Sequence, residues 1–142
     1  MEKMLDGQVA VVFGGSGMIG RFICKILADN GAKVAVHYNS RSSVADQVVA
    51  EIKNKGGEAI ALKADVNSED SIATLLKTVN DQYGRIDICI SSVHRQFIPE
   101  FIVDMTWEYW NIHIEALRAH MFICKHAVPY MSAHKYGRIV YI

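Results

Sequence analysis

Residues 8–20 read QVAVVFGGSGMIG, an apolar run that breaks at a cluster of glycines and resumes with a different period. Gln8 to Phe13 is nearly continuously apolar and rich in β-branched residues, which suits a strand covered on both faces. From Ile19 to Asn30 the apolar positions Ile19, Phe22, Ile23, Ile26 and Leu27 fall at helical spacing, and Gly31 stands where such a helix ends. Between the two, Gly14, Gly17 and Gly20 are spaced as G-x-x-G-x-x-G. The first glycine lets the chain turn sharply off the strand, the second lets backbone approach a diphosphate, and the third lets the helix pack close to the sheet. Amides at the helix start then face an anion. A strand before the glycines and a helix after them favour a dinucleotide site over a ligand-free glycine turn, with Gly14, Ser16, Gly17, Ile19 and Gly20 as its contacts.

The alternation continues along the chain. Lys33 to Tyr38 (KVAVHY) reads as a strand, Ser43 to Lys55 as a helix stopped by Gly56-Gly57, and Ala59 to Lys63 as a third strand. Asn67 or Ser68 caps the next helix, whose first turn holds Glu69 and Asp70 where the helix dipole favours acids, and which runs to about Tyr83 before Gly84. Ile86 to Ser91 is a fourth strand. A loop spans His94 to Asp104, and Thr106 to about Lys135 is helical, with Pro129 expected to kink or end the helix near Val128. GRIVYI, residues 137–142, supplies a fifth strand. Strands separated by helices pair in parallel through right-handed crossovers, so the expected fold class is α/β, a three-layer doubly wound parallel sheet (Rossmann fold) of about five strands, in one domain over residues 1–142.

Composition narrows the function classes. The 142 residues can bury a real core, 51% are hydrophobic, and fifteen basic residues balance fifteen acidic ones, which speaks against disorder and against a broad electrostatic grip on nucleic acid. No apolar run approaches the roughly 18 residues needed to cross a bilayer, and Met1-Glu2-Lys3-Met4-Leu5-Asp6 lacks the order of a secretion signal. A cytoplasmic protein without a membrane partner is expected. Cys24, Cys89 and Cys124 are odd in number and sit in apolar patterns, so they read as small buried hydrophobes.

The end of the second strand bears on which dinucleotide is held. An acid there would grip the ribose 2′-hydroxyl of NAD, but the residues are His37-Tyr38-Asn39-Ser40-Arg41-Ser42, with no carboxylate. A 2′-phosphate would meet hydroxyls and one guanidinium, so Asn39, Ser40 and Arg41 favour NADP(H) over NAD(H). The alternative for Arg41 is a solvated loop residue.

Several motifs then join into one pattern. The glycine turn, Ala64-Asp65-Val66 after the third strand, YGRIDICIS at 83–91, Pro129-Tyr130-Met131 late in the long helix and GRIVYI at 137–142 together resemble the short-chain dehydrogenase/reductase family, most of all its 3-oxoacyl-carrier-protein reductase and glucose dehydrogenase branch. The resemblance covers the whole chain but about the first three-fifths of such an enzyme. It implies an NADP-dependent oxidoreductase interconverting a carbonyl and an alcohol, with Asp65 and Val66 flanking the adenine ring. Where the family usually carries Asn-Asn-Ala-Gly, this chain has Ser91-Ser92-Val93-His94: the serines stand in for the amides, while Val93 and His94 are bulkier beside the nicotinamide. Phe13 and Met18 replace the branch's Thr and second glycine.

The family's chemistry rests on an Asn in the long helix, a Ser after the fifth strand, and a Tyr-x-x-x-Lys pair. The Asn position falls near Ala116, the Ser lies past Ile142, and none of the tyrosines at 38, 83, 109, 130, 136 and 141 has Lys four places on. The expectation is a truncated, cofactor-binding half that does not turn over alone; a non-catalytic nucleotide-binding module, a partner subunit or a non-functional remnant are the alternatives. The fifth strand is expected at the sheet edge, with Ile139, Val140 and Ile142 lacking cover on at least one face unless an oligomer or partner chain supplies it. His113, His120 and Cys124 share a helical spacing that could offer three metal ligands, but no carboxylate or fourth ligand joins them, and ordinary helix surface or core is the preferred reading. Trp107, Tyr109 and Trp110 are expected to pack or to support a subunit interface rather than to line a substrate mouth.

Overall fold

The computed structural model describes residues 3–93 and 99–142, and of residue 116 the backbone only. Five strands and four helices alternate: β1 (Val9–Phe13), α1 (Met18–Asp29), β2 (Lys33–Tyr38), α2 (Ser42–Asn54), β3 (Ala59–Lys63), α3 (Glu69–Tyr83), β4 (Ile88–Ser91), α4 (Trp107–Ala133) and β5 (Arg138–Tyr141). The sheet order is β3-β2-β1-β4-β5 and every pair is parallel. This is the expected doubly wound, Rossmann-like α/β fold. The order in which strands are added reverses at β1, from which β2 and β3 extend one way and β4 and β5 the other, so the crevice where ligands bind in such sheets opens at the carboxyl ends of β1 and β4.

The near-continuous apolar run of β1 has a direct cause. Val9, Val11 and Phe13 point into a core shared with Ile72, Leu76 and Val79 of α3 and Ile123 and Ala127 of α4. Ala10 and Val12 point the other way, against Cys24 and Ala28 of α1 and Val48 and Ile52 of α2. Both alternating faces are covered, so neither set can be polar. Burial pushes the Cys24 and Cys89 thiols up to about 12, in keeping with their apolar setting; Cys124, expected buried, is only partly so.

Two expectations for α4 are narrowed. The helix does not end near Val128 but continues through Pro129 to Ala133. Ala119, Ile123, Ala127 and Met131 form a buried stripe at four-residue spacing that spans the proline, and seating Met131 in the core offsets the roughly 3 kcal/mol an interior proline costs. Because that stripe begins only at Ala119, the first turns of α4 lie over no sheet. Trp107 is 70% exposed and Trp110 47%, so of the two expected roles, packing or an interface, packing within this chain is not the one these side chains take.

At the amino-terminal edge of the sheet, Asp87 is fully buried, accepts the Val9 amide at 2.9 Å and is clasped by Arg85 through Nε at 2.8 Å and Nη2 at 2.7 Å. Replacing Asp87 by Ala leaves the Val9 amide unpaired and the guanidinium without its partner; urea denaturation is expected to show a loss of about 3 kcal/mol, well above that from breaking the exposed Lys77–Asp81 pair.

Candidate functional site

The turn after β1 is shaped by two close approaches. Gly14 adopts φ +78°, and a Cβ there would lie 2.8 Å from the Ser92 carbonyl oxygen. The Gly14 carbonyl in turn accepts the Gly17 amide at 2.8 Å, and a Cβ on Gly20 would lie 2.0 Å from that same oxygen. Gly20 thus lets the helix close on the turn itself, where the sequence reading had it pack on the sheet.

An account of the amides locates the donors. Gly14 donates to His37 Nδ1 at 2.9 Å, Gly15 to the Val12 carbonyl at 3.1 Å, Ser16 to the His37 carbonyl at 3.3 Å and Gly17 to Gly14. All four are satisfied internally. The amides of Met18, Ile19 and Gly20 find no acceptor among the described residues, and the first bond of the helix runs from Arg21 to the Gly17 carbonyl at 3.1 Å. No side chain caps α1 and no acid lies in its first turn. The start of α2 is alike: Arg41 is its N-cap residue, without a side-chain cap and without a first-turn acid. By contrast Ser68 caps α3 and Thr106 caps α4, and their first turns hold Glu69 and Asp70, and Glu108. Two helix starts are therefore without a side-chain cap or an acid, an arrangement that suits an anion, and both open toward the carboxyl edge of the sheet.

Between them lies a cleft of about 230 Å³ lined by Gly14, Ser16, Asn39, Ser40, Arg41, Val66 and Ser92, together with His37, Tyr38 and Val93. The Arg41 guanidinium makes no hydrogen bond or ion pair among the described residues, while its carbonyl accepts the Ala45 amide at 3.2 Å. Gly17, Ile19 and Gly20 are not among the residues lining the cleft, and Met18 is 74% exposed. Asp65 does not line the cleft. Its Oδ1 accepts the Asn67 amide at 2.9 Å and the Asn67 Nδ2 at 3.0 Å, and its own amide donates to Ser71 Oγ at 2.9 Å, so it organises the start of α3. Ser91 is also outside the cleft: its Oγ is buried and has no partner among the described residues. His94 lies outside the described residues.

His37 is the residue the motif reading passed over. It is 3% exposed, its Nδ1 accepts from Gly14, and its Nε2 donates to the Ala64 carbonyl at 3.0 Å. These partners require the neutral ring with its proton on Nε2. Burial holds its pKa below the ordinary value of 6.5. The signal was one polar residue inside the apolar run KVAVHY.

The three candidate metal ligands separate. The His113 ring meets Tyr109 edge-on at 4.8 Å, the His120 ring rests on Tyr141 at 4.4 Å, and Cys124 touches the Tyr141 hydroxyl, which donates to the His120 carbonyl at 3.1 Å. Among the described residues no group of three His, Cys, Asp or Glu is placed to hold a metal, and no helix is long and apolar enough to cross a membrane.

The glycine geometry sets a stability test. Gly20→Ala must push the helix off the Gly14 carbonyl and is expected to cost about 3 kcal/mol in urea denaturation; Gly17→Ala, whose Cβ would stand 3.0 Å from that oxygen, costs less.

Comparisons with known proteins agree with this architecture. A family model described as short chain dehydrogenase matches residues 8–142. The chain is 39% identical over 141 residues to a 3-oxoacyl-(acyl-carrier-protein) reductase of Synechocystis, covering 97% of this chain and 56% of that protein, and 36% identical to a hydroxynaphthalene reductase-like protein of Metarhizium guizhouense, covering 97% and 51%. The chain thus spans about half the length of the curated relatives it matches. The crystal structure of a dehydrogenase/reductase from Sinorhizobium meliloti superposes with a TM-score of 0.86 at 28% identity, over 99% of this chain and 55% of that one. On these grounds the chain belongs to the short-chain dehydrogenase family.

Proposed function

We propose that these 142 residues hold NADP(H) for an oxidoreductase that interconverts a carbonyl and an alcohol. The observation that carries this is the pair of uncapped, acid-free helix starts flanking one cleft, with an unpaired guanidinium on its wall. The open amides of Met18, Ile19 and Gly20 suit a diphosphate. Arg41 and the start of α2, with Asn39 and Ser40 before it and no carboxylate at the end of β2, suit a 2′-phosphate. Val66 offers an apolar surface to adenine, the unpaired Oδ2 of Asp65 can swing to its amine, and Ser92 and Val93 stand toward the nicotinamide end. Bound there, the nicotinamide supplies the hydride.

The protonic half of such a reaction has no source among these residues. No tyrosine has a lysine four places on, and Ala116 stands at the family's Asn position. The reductase names of both curated relatives support a carbonyl substrate. The free side of β5, with Val140 46% and Ile142 57% exposed, supports a further segment or a second chain covering that edge.

Calorimetric titration tests the reading. NADPH is expected to bind more tightly than NADH, and Arg41→Ala to weaken NADPH about tenfold while leaving NADH unchanged; binding of neither coenzyme, or equal loss for both in the variant, overturns it. Without carbonyl turnover by this chain, light scattering is expected to find it associated, and a compact protease-resistant monomer would remove the case for a covered β5 edge.

A further inference from the structure

We propose that His37 is a positioning residue whose neutral imidazole holds the diphosphate turn and the adenine-side loop in one register, and whose protonation releases both and lowers coenzyme affinity. The part concerning coenzyme rests on the dinucleotide reading above; the part concerning the turn does not.

The geometry leaves the ring little freedom. Gly14, at φ +78°, directs its amide across to β2, where Nδ1 is its acceptor, and on the far side Nε2 donates to Ala64, the residue before Asp65 and Val66. One ring therefore joins the loop after β1 to the loop after β3, and both loops border the cleft. The ring also lies 5.3 Å from Phe13, centroid to centroid, while the His37 carbonyl accepts from Ser16. At 3% exposure water cannot take over either bond.

A proton added at Nδ1 would set an N–H against the Gly14 N–H. Among the described residues no carboxylate hydrogen-bonds the ring. Tyr38 and Arg41 follow His37 on the cleft wall, Lys63 and Asp65 flank Ala64 in the chain, and Glu69 and Asp70 stand in the first turn of α3. Asp65 is turned to Asn67, Glu69 is engaged by Lys125 and His126, and none of them hydrogen-bonds the ring. Burial, the leading cause, lowers the His37 pKa, with the Ala64 carbonyl opposing. The sign follows: above pH 6.5 the ring is neutral whether the chain is folded or unfolded and stability is undiminished. As pH falls below 6.5 the unfolded chain takes up the proton first, so stability declines until the folded-state value is passed.

The test measures NADP⁺ affinity by calorimetry from pH 5 to 8 for the wild-type chain, His37→Asn and His37→Phe. The 2′-phosphate itself gains a proton near pH 6, so the variants are compared at each pH. An Asn amide oxygen can replace Nδ1 as acceptor and does not titrate. His37→Asn is expected to bind like wild type at pH 8 and to lack the additional acid-side loss, which in wild type reaches roughly tenfold. His37→Phe is expected to bind about tenfold more weakly across the range. In ¹⁵N spectra the Gly14 amide should move with the same midpoint as the His37 ring. Superimposable profiles for all three proteins, or a Gly14 amide that ignores the ring's titration, overturn the proposal; should His37→Phe fail to fold, the wild-type to His37→Asn ratio decides. If the wild-type chain binds neither NADP⁺ nor NAD⁺, the dinucleotide reading fails, and the Gly14 and His37 resonances alone decide whether the ring holds the turn.

Discussion

The Gly14 carbonyl oxygen accepts the Gly17 amide and lies where any side chain on Gly20 would strike it. That contact fixes the distance between the end of β1 and the axis of α1. Much of the site's character descends from it, because a turn closed this tightly spends its own four amides internally and presents the next three at a helix start. The diphosphate reading therefore belongs to Met18, Ile19 and Gly20 as donors, with the preceding glycines acting as shape.

Helices without caps are less stable than capped ones by about 0.5–2 kcal/mol each. The chain accepts that loss at α1 and α2 and avoids it at α3 and α4, where Ser68 and Thr106 close the first turn. Burial compensates. Cys24 and Ala28 of α1 and Ala45, Val48 and Ile52 of α2 are seated against β1 and β2, so tertiary packing holds both helices while their starts stay open. The division follows the faces of the sheet: the two helices on one face start uncapped, and the two on the other are sealed.

Much of this was legible in the residues. β2 and β3 fall where their apolar runs begin and end, Ser68 caps α3, and Gly84 takes the left-handed conformation that stops it at Tyr83. These features are local, set within one turn or one strand. What was not legible depends on register or on cover. His37 could be matched to Gly14 and Ala64 only once β2 lay between β1 and β3. The path of α4 through Pro129 depended on Met131 reaching the core, and the exposure of Trp107 and Trp110 on where the sheet stops beneath them. Asp65 and Ser91 have the right places in the motif, but Asn67 claims the one and burial within the sheet encloses the other.

The Asp87 carboxylate receives the Val9 amide at one end of the central strand, and the His37 imidazole receives the Gly14 amide just past the other. A strand pinned at both extremities and flanked by partners on each side cannot fray. Its amides should exchange with solvent only when the whole molecule opens, which makes β1 the slowest-exchanging segment and a rigid base for the turn that follows it.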